Sequence, residues 1–134
     1  MSAYLVNLAA VLVGSAIGGA ARYWIGGLVS RTTDQTFPWG TLVVNVTGAV
    51  LVGMLAAVPL QTPVLAWSEA QALLIIGLCG SYTTVSSFAL QTLALLRDGQ
   101  WWAAAGNVAG SLILCLAGVW IGFSVVALAT GGAS

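Results

Sequence analysis

Charge is what this sequence has least of. Of its 134 residues only six are formally charged: Arg22, Arg31, Asp34, Glu69, Arg97 and Asp98. Ordinary soluble domains carry about a quarter charged residues. With 60% of the chain hydrophobic, too little charge is left to cover a water-facing surface, so the bilayer is its solvent. Histidine is absent, and the two cysteines, Cys79 and Cys115, form no Cys-x-x-Cys pair. No transition-metal site is therefore expected. Without paired carboxylates, histidine or an activated nucleophile, the chain does not read as an enzyme. A net charge of zero and the lack of a basic run argue against nucleic acid and against a lipid-headgroup patch.

What is present is apolar length. Between the charges lie uncharged stretches at 1–21, 35–68, 70–96 and 99–134. A spanning helix needs roughly 20 apolar residues, so each stretch crosses once. The reading is an all-α membrane protein with four transmembrane helices per subunit, one membrane domain over residues 1–134. The spans are expected near 4–29, 40–58, 69–96 and 101–128. The first stretch has no Lys or Arg before its apolar core and continues to Val29, which fits a retained span better than a cleaved signal. The connections are expected at Ser30–Trp39, Pro59–Ser68 and Arg97–Gln100. Trp24, Trp39, Trp67, Trp101, Trp102 and Trp120 suit interfacial positions. Arg31 and Arg97 place the first and third connections weakly on the cytoplasmic side. Gly14 and Gly18, Gly106 and Gly110, and Gly118 and Gly122 repeat at four-residue spacing, which suits close helix packing in lipid. Four short helices enclose little volume, so an oligomer is expected.

Polar groups at membrane depth are costly unless partnered, and so mark function. Arg22 lies in the last turns of the first span. It either snorkels to the interface or is a fixed positive charge that draws anions into a vestibule or braces a broken helix. Asn45 bridges neighbouring helices or donates to a passing anion. The run from Gly80 to Ser87 places six hydroxyl side chains in seven positions after two glycines, Gly77 and Gly80. Irregular backbone at this depth survives only when buried in protein or lining a cavity, so the third helix is read as broken in mid-membrane. If helix resumes afterwards, Thr84, Phe88 and Gln91 share a face, with Ser87 beside it. That face combines hydroxyl donors with an aromatic ring edge, the positive end of its quadrupole, and so suits a small anion. Asn107 and Ser111, one turn apart, either extend this ladder of donors or simply pack.

Taken together, these segments resemble the Fluc (CrcB) family of fluoride channels. The resemblance rests on Gly18-Gly19-Ala20-Ala21-Arg22-Tyr23, on Pro38-Trp39-Gly40-Thr41-Leu42 with Asn45 and Gly48, on Gly80 through Phe88, and on the pattern from Ser111 to Trp120-Ile121-Gly122. It implies a passive, fluoride-selective channel in the cell (inner or plasma) membrane that exports fluoride from the cytoplasm and so confers resistance. The implied assembly is an antiparallel, dual-topology dimer with two pores and a structural sodium ion between the broken helices. By motif position, the backbone carbonyls of Gly80 and Thr83 would bind Na+. Phe88 would supply a ring edge to the pore. Asn45 would donate to fluoride or orient that ring, Thr84, Ser86, Ser87 and Ser111 would continue the polar track, and Arg22 would be the first-span arginine. Lipid and a second copy of the chain are the implied partners.

Three positions depart from the family pattern. Val85 stands where the family has a second phenylalanine, Gln91 where it often has glutamate, and Asn107 where it has an aromatic hydroxyl. The missing ring leaves room for a heterodimer, in which a second family member complements this chain. Two other classes compete. A proton-coupled exporter needs a carboxylate at membrane depth, and Glu69, the nearest, sits at a span boundary. A non-transporting scaffold leaves the hydroxyl run without a purpose.

Overall fold

The computed structural model describes residues 2–34, 36–58 and 68–131. Among these the regular structure is helical throughout. Four stretches are long and apolar enough to cross a membrane: Ser2–Thr32, Trp39–Ala57, Ser68–Arg97 and Trp101–Ala129. They are designated α1 (Ser2–Thr32), α2 (Trp39–Ala57), α3 (residues 68–82), α4 (Val85–Arg97) and α5 (Trp101–Ala129). The third span is thus two helices, α3 and α4, separated at Thr83 and Thr84. At a rise of 1.5 Å per residue α2 measures about 28 Å, close to the hydrocarbon thickness, while α1 at about 46 Å reaches past it.

Local chemistry sets the ends. After α1, the Asp34 carboxylate accepts from the Thr36 backbone N–H at 3.1 Å and from the Thr36 hydroxyl at 2.8 Å, a side-chain-to-backbone turn that competes with helix. Pro38 then precedes the first residue of α2, where its missing N–H costs nothing. Gly99 closes α4 with φ +74°. The Gln100 N–H donates to the Leu95 carbonyl at 2.8 Å and the Gly99 N–H to Leu96 at 3.2 Å. This is the Schellman arrangement that favours glycine, and it makes the connection to α5 very tight. The expected connection over residues 59–67, including Trp67, lies outside the described residues.

Because lipid gives helices no hydrophobic reason to associate, they approach through glycine. Helix α2 is the hub. A Cβ on Gly53 would meet the Val119 carbonyl, and the Phe123 nitrogen at 3.0 Å, on α5. A Cβ on Gly122 would meet the Val50 carbonyl, and the Met54 nitrogen at 3.0 Å. Gly40 faces the Gly26 carbonyl of α1, and Gly48 faces Thr83 and Tyr82. Helix α1 runs along the middle of α3, where Ala72–Cys79 is a π-helix, bonded i to i+5 and rare outside functional regions. Gly14 there abuts Leu73 and Gly77, and Gly18 abuts Leu78 and Ser81. The Ser81 hydroxyl donates to the Ser15 carbonyl at 2.8 Å and ties the two helices. Gly106 and Gly110 behave differently from the other spaced glycines: a Cβ on either would meet no atom of the described residues within 4 Å. Tyr23, Trp24, Trp101, Trp102 and Trp120 all face outward.

Gly14→Val should therefore lower stability by about 2 kcal/mol, because backbone atoms rather than flexible side chains oppose the new group. Gly19→Ala, where no atom lies within 4 Å of the added Cβ, should leave stability unchanged. The midpoint of unfolding in mixed detergent micelles, compared with the wild type, checks both.

Candidate functional site: a broken helix between two polar cavities and an apolar groove

The break is narrower than the composition of residues 80–87 suggests. Gly80–Tyr82 is still helical, and only Thr83 (φ −79°, ψ 159°) and Thr84 (φ −150°, ψ 118°) are extended. Helix restarts directly at Val85 because Thr84 caps it. The Thr84 hydroxyl accepts from the Ser87 N–H at 3.2 Å and donates to the Ser87 hydroxyl oxygen at 3.1 Å. It also lies 3.2 Å from the Ser86 hydroxyl. Threonine is a favoured residue at such a position because its oxygen replaces a lost backbone partner.

Asn45 holds the break open. Its Nδ2 donates to the Thr84 carbonyl at 2.9 Å, and its Oδ1 accepts from the Thr84 N–H at 2.7 Å. One side chain of α2 thereby satisfies both backbone groups of one extended residue. One N–H of its amide remains available. The consequence falls on two carbonyls. In a continuous helix the Gly80 carbonyl would accept from the Thr84 N–H and the Thr83 carbonyl from the Ser87 N–H. The first donor is taken by Asn45 and the second by the Thr84 hydroxyl. Gly80 and Thr83 are thus left with carbonyls lacking their usual helical donors.

The hydroxyl run divides its labour. Ser81 is committed to Ser15, and Tyr82, buried, lies 2.9 Å from the Thr47 hydroxyl. Thr83 donates to the Cys79 carbonyl at 3.0 Å. These three brace the break. Ser87 is placed differently: its oxygen accepts from Thr84, which leaves its own proton free to donate. The N–H groups of Val85 and Ser86 open a 13-residue helix at the positive end of its dipole.

Three concavities meet here. A cavity of 370 Å³ brings Arg22 of α1 to Thr41 of α2 and to Thr84, Ser87 and Gln91. It shares Gly27, Ser30 and Gln91 with a larger cavity of 520 Å³, whose lining includes Arg31, Asp34 and Asp98. No hydrogen bond or ion pair joins Arg22 to a described residue. The guanidinium thus stands as an unneutralised charge beside the N-terminus of α4. On the other side lies a groove of 540 Å³ lined by Asn45, Thr83, Val85, Phe88, Ser111 and Cys115 among others. Thr84 lines both this groove and the smaller polar cavity. Among the described residues that line the groove, Phe88 is the only aromatic. Val85 stands 79% exposed beside it.

The structure therefore splits the face expected after the break. Thr84 sits at the junction, Ser87 and Gln91 turn to the Arg22 side, and Phe88 turns to the groove. Ser86 is exposed. Among the described residues two buried polar atoms have no partner, Gln91 Oε1 and Ser111 Oγ. The expected ladder of Asn107 and Ser111 also separates: Ser111 lines the groove, whereas Asn107 donates to the Thr92 hydroxyl at 2.8 Å. Glu69 lies in the first turn of α3 and lines none of these three concavities. Sequence reasoning gave no role to Thr41, Ser30 or Thr92. For Thr92 the available signal was its place one turn beyond Phe88.

Comparison with known proteins gives one consistent result. The sequence pattern of the family described as CrcB-like protein, Camphor Resistance (CrcB), matches residues 9–123. The chain is 46% identical over 119 residues to the fluoride-specific ion channel FluC of Paramagnetospirillum magneticum, covering 88% of this chain and 93% of that protein. It is 45% identical over 120 residues to the protein of the same name from Methylocella silvestris, covering 89% and 91%. With that of Opitutus terrae it shares 46% over 123 residues, covering 91% and 90%.

Asn45→Ala should destabilise the fold by about 2 kcal/mol or more, since it leaves the Thr84 N–H and carbonyl without their partner at membrane depth. Amide hydrogen exchange at Thr84 should rise in this variant while the middle of α2 stays protected. Unchanged exchange at Thr84 would show that the clamp does not hold the break.

Proposed function

This chain belongs to the CrcB family, and from that membership we propose that it is a passive, fluoride-selective ion channel, which exports fluoride from the cytoplasm. It is a multi-pass membrane protein, as its four apolar spanning helices require, and not an enzyme. The observation that carries the reading is the restart of the third span at Val85. It sets the donor end of α4 and the free proton of Ser87 beside an unneutralised Arg22.

Fluoride is small and strongly hydrated, so a selective path must replace its water with converging donors. The two joined polar cavities admit hydrated anions, and Arg22 raises their local concentration. At the inner end the Ser87 hydroxyl and the first N–H groups of α4 replace water in the manner of a helix N-terminus. Thr84 lines both sides of the junction. Beyond it the Phe88 ring edge and the unpartnered Ser111 hydroxyl offer positive edge and donor in an otherwise apolar groove. Asn45, with one amide N–H not committed to Thr84, lines the same groove. Conduction needs no coupling: a negative membrane potential drives an anion outward, and weak acid entering as neutral HF releases fluoride in a neutral cytoplasm.

A second copy of this chain closes the groove, in the antiparallel, dual-topology dimer of the family. The support is physical: the groove lies at the depth of the break, and a broken backbone there cannot face lipid. The same assembly would bring together carbonyls of Gly80 and Thr83 from two copies. Oxygen ligands suit a hard cation, and the missing helical donors of both carbonyls fit them to a structural Na+. That ion would supply charge neutralisation for the two α3 C-terminal ends. A homodimer is the simpler form. The exposure of Val85 favours one alternative, a heterodimer whose other subunit supplies the second ring.

Purified protein in liposomes should release fluoride without proton or sodium coupling, measured with a fluoride electrode. Phe88→Ala should slow that release about a hundredfold, the scale expected when one preorganised partner of a charged species is removed. Wild-type flux in this variant would sink the ring-edge assignment. Absence of flux from the chain alone, with flux after addition of a second family member, would establish the heterodimer.

A further inference from the structure

Helix α4 carries the ring that meets the groove, yet it is the least supported helix in the protomer. The break severs it from α3, and it leans on α2 and α5 without the close glycine crossings that hold the other helices. Among the described residues its side-chain hydrogen bonds to other helices occur at two points. One is the Asn45 clamp on Thr84. The other is Asn107 of α5, whose Nδ2 donates to the Thr92 hydroxyl at 2.8 Å. Phe88 lies midway, four residues from each.

The second tie is directional. The Thr92 hydroxyl has a single proton, and it goes to the Phe88 carbonyl at 2.7 Å. Its oxygen can then only accept from outside, and an amide N–H is the right partner. Two bonds therefore run from α5 through Thr92 to the backbone of Phe88 itself. Asn107 is 2% exposed, so its amide has no water to turn to if Thr92 moves away.

We infer that Asn107 is a positioning residue: acting through Thr92, it fixes the rotation of α4 about its axis and hence which part of the Phe88 ring faces the groove. This rests on the fluoride-channel reading for its consequence, though not for its geometry. The consequence is large because an aromatic ring attracts an anion at its edge and repels it at its face. With Val85 in place of a second ring, no other aromatic among the described residues lining the groove compensates for a misdirected Phe88. The tie also explains why a small amide occupies position 107: it makes its bond at short reach from within the packed α4–α5 seam.

Thr92→Val keeps volume and removes the hydroxyl, Asn107→Leu removes the donor at similar size, and Thr92→Ser keeps the hydroxyl. In liposomes the first two should each lower fluoride flux about tenfold. Their combination should be no worse than either alone, because both break the same chain of bonds. Thr92→Ser should stay within about twofold of the wild type. A 4-fluorophenylalanine placed at position 88 supplies a readout independent of conduction. Its 19F resonance should shift or split in Thr92→Val and Asn107→Leu, and match the wild type in Thr92→Ser. If Asn107→Leu fails to fold, Thr92→Val decides alone. Folded Thr92→Val with wild-type flux and an unshifted resonance overturns the inference. A wild-type protein that releases no fluoride would instead overturn the channel reading, while the resonance still tests the positioning.

Discussion

Everything distinctive in this protein follows from one constraint: in hydrocarbon, a backbone N–H or carbonyl that leaves its helix must find another partner. The chain leaves helical geometry at Thr83 and Thr84, and the surrounding polar residues are placed to answer for that. Asn45 takes both backbone groups of Thr84, the Thr84 hydroxyl takes the Ser87 N–H, and Ser81 and Tyr82 brace the helix that ends there. Each of these groups would be costly in lipid by itself. Together they turn a break of two residues into a rigid feature.

The same accounting produces function by what it leaves over. Donors remain at the start of α4 and on Ser87, while the carbonyls of Gly80 and Thr83 lack their usual helical donors. In the reading proposed above, the broken helix would offer donors to an anion and acceptors to a cation with no carboxylate lining the groove or the polar cavity beside the break, which suits a passive channel better than a proton-driven exporter. Arg22 adds a positive charge to the lining of the cavity that also holds Thr84 and Ser87.

Glycine sets the architecture around this segment. Gly40, Gly48 and Gly53 let α2 touch α1, the break and α5 at nearly backbone distance. That proximity is why a side chain as short as asparagine can reach Thr84 from a neighbouring helix. Where no glycine crossing exists, along α4, a second asparagine does the holding instead. The two amides share a role at opposite ends of the ring-bearing turn, although they come from different helices.

The sequence by itself determined the class and the count of spans, because uncharged length in a chain with six charges admits few alternatives. It also located the break within residues 80–87, since six hydroxyls after two glycines cannot face lipid. It did not determine how those hydroxyls are used. Hydroxyl side chains look alike in a sequence, and only the tertiary structure decided that Ser81 and Tyr82 brace, Thr84 caps and Ser87 keeps a free proton. Asn45 likewise reads as a bridge or a donor in one dimension, and Asn107 as a donor or as packing. Their bonds to Thr84 and Thr92 depend on which helices glycine allows to approach, and that approach is a property of the packed fold.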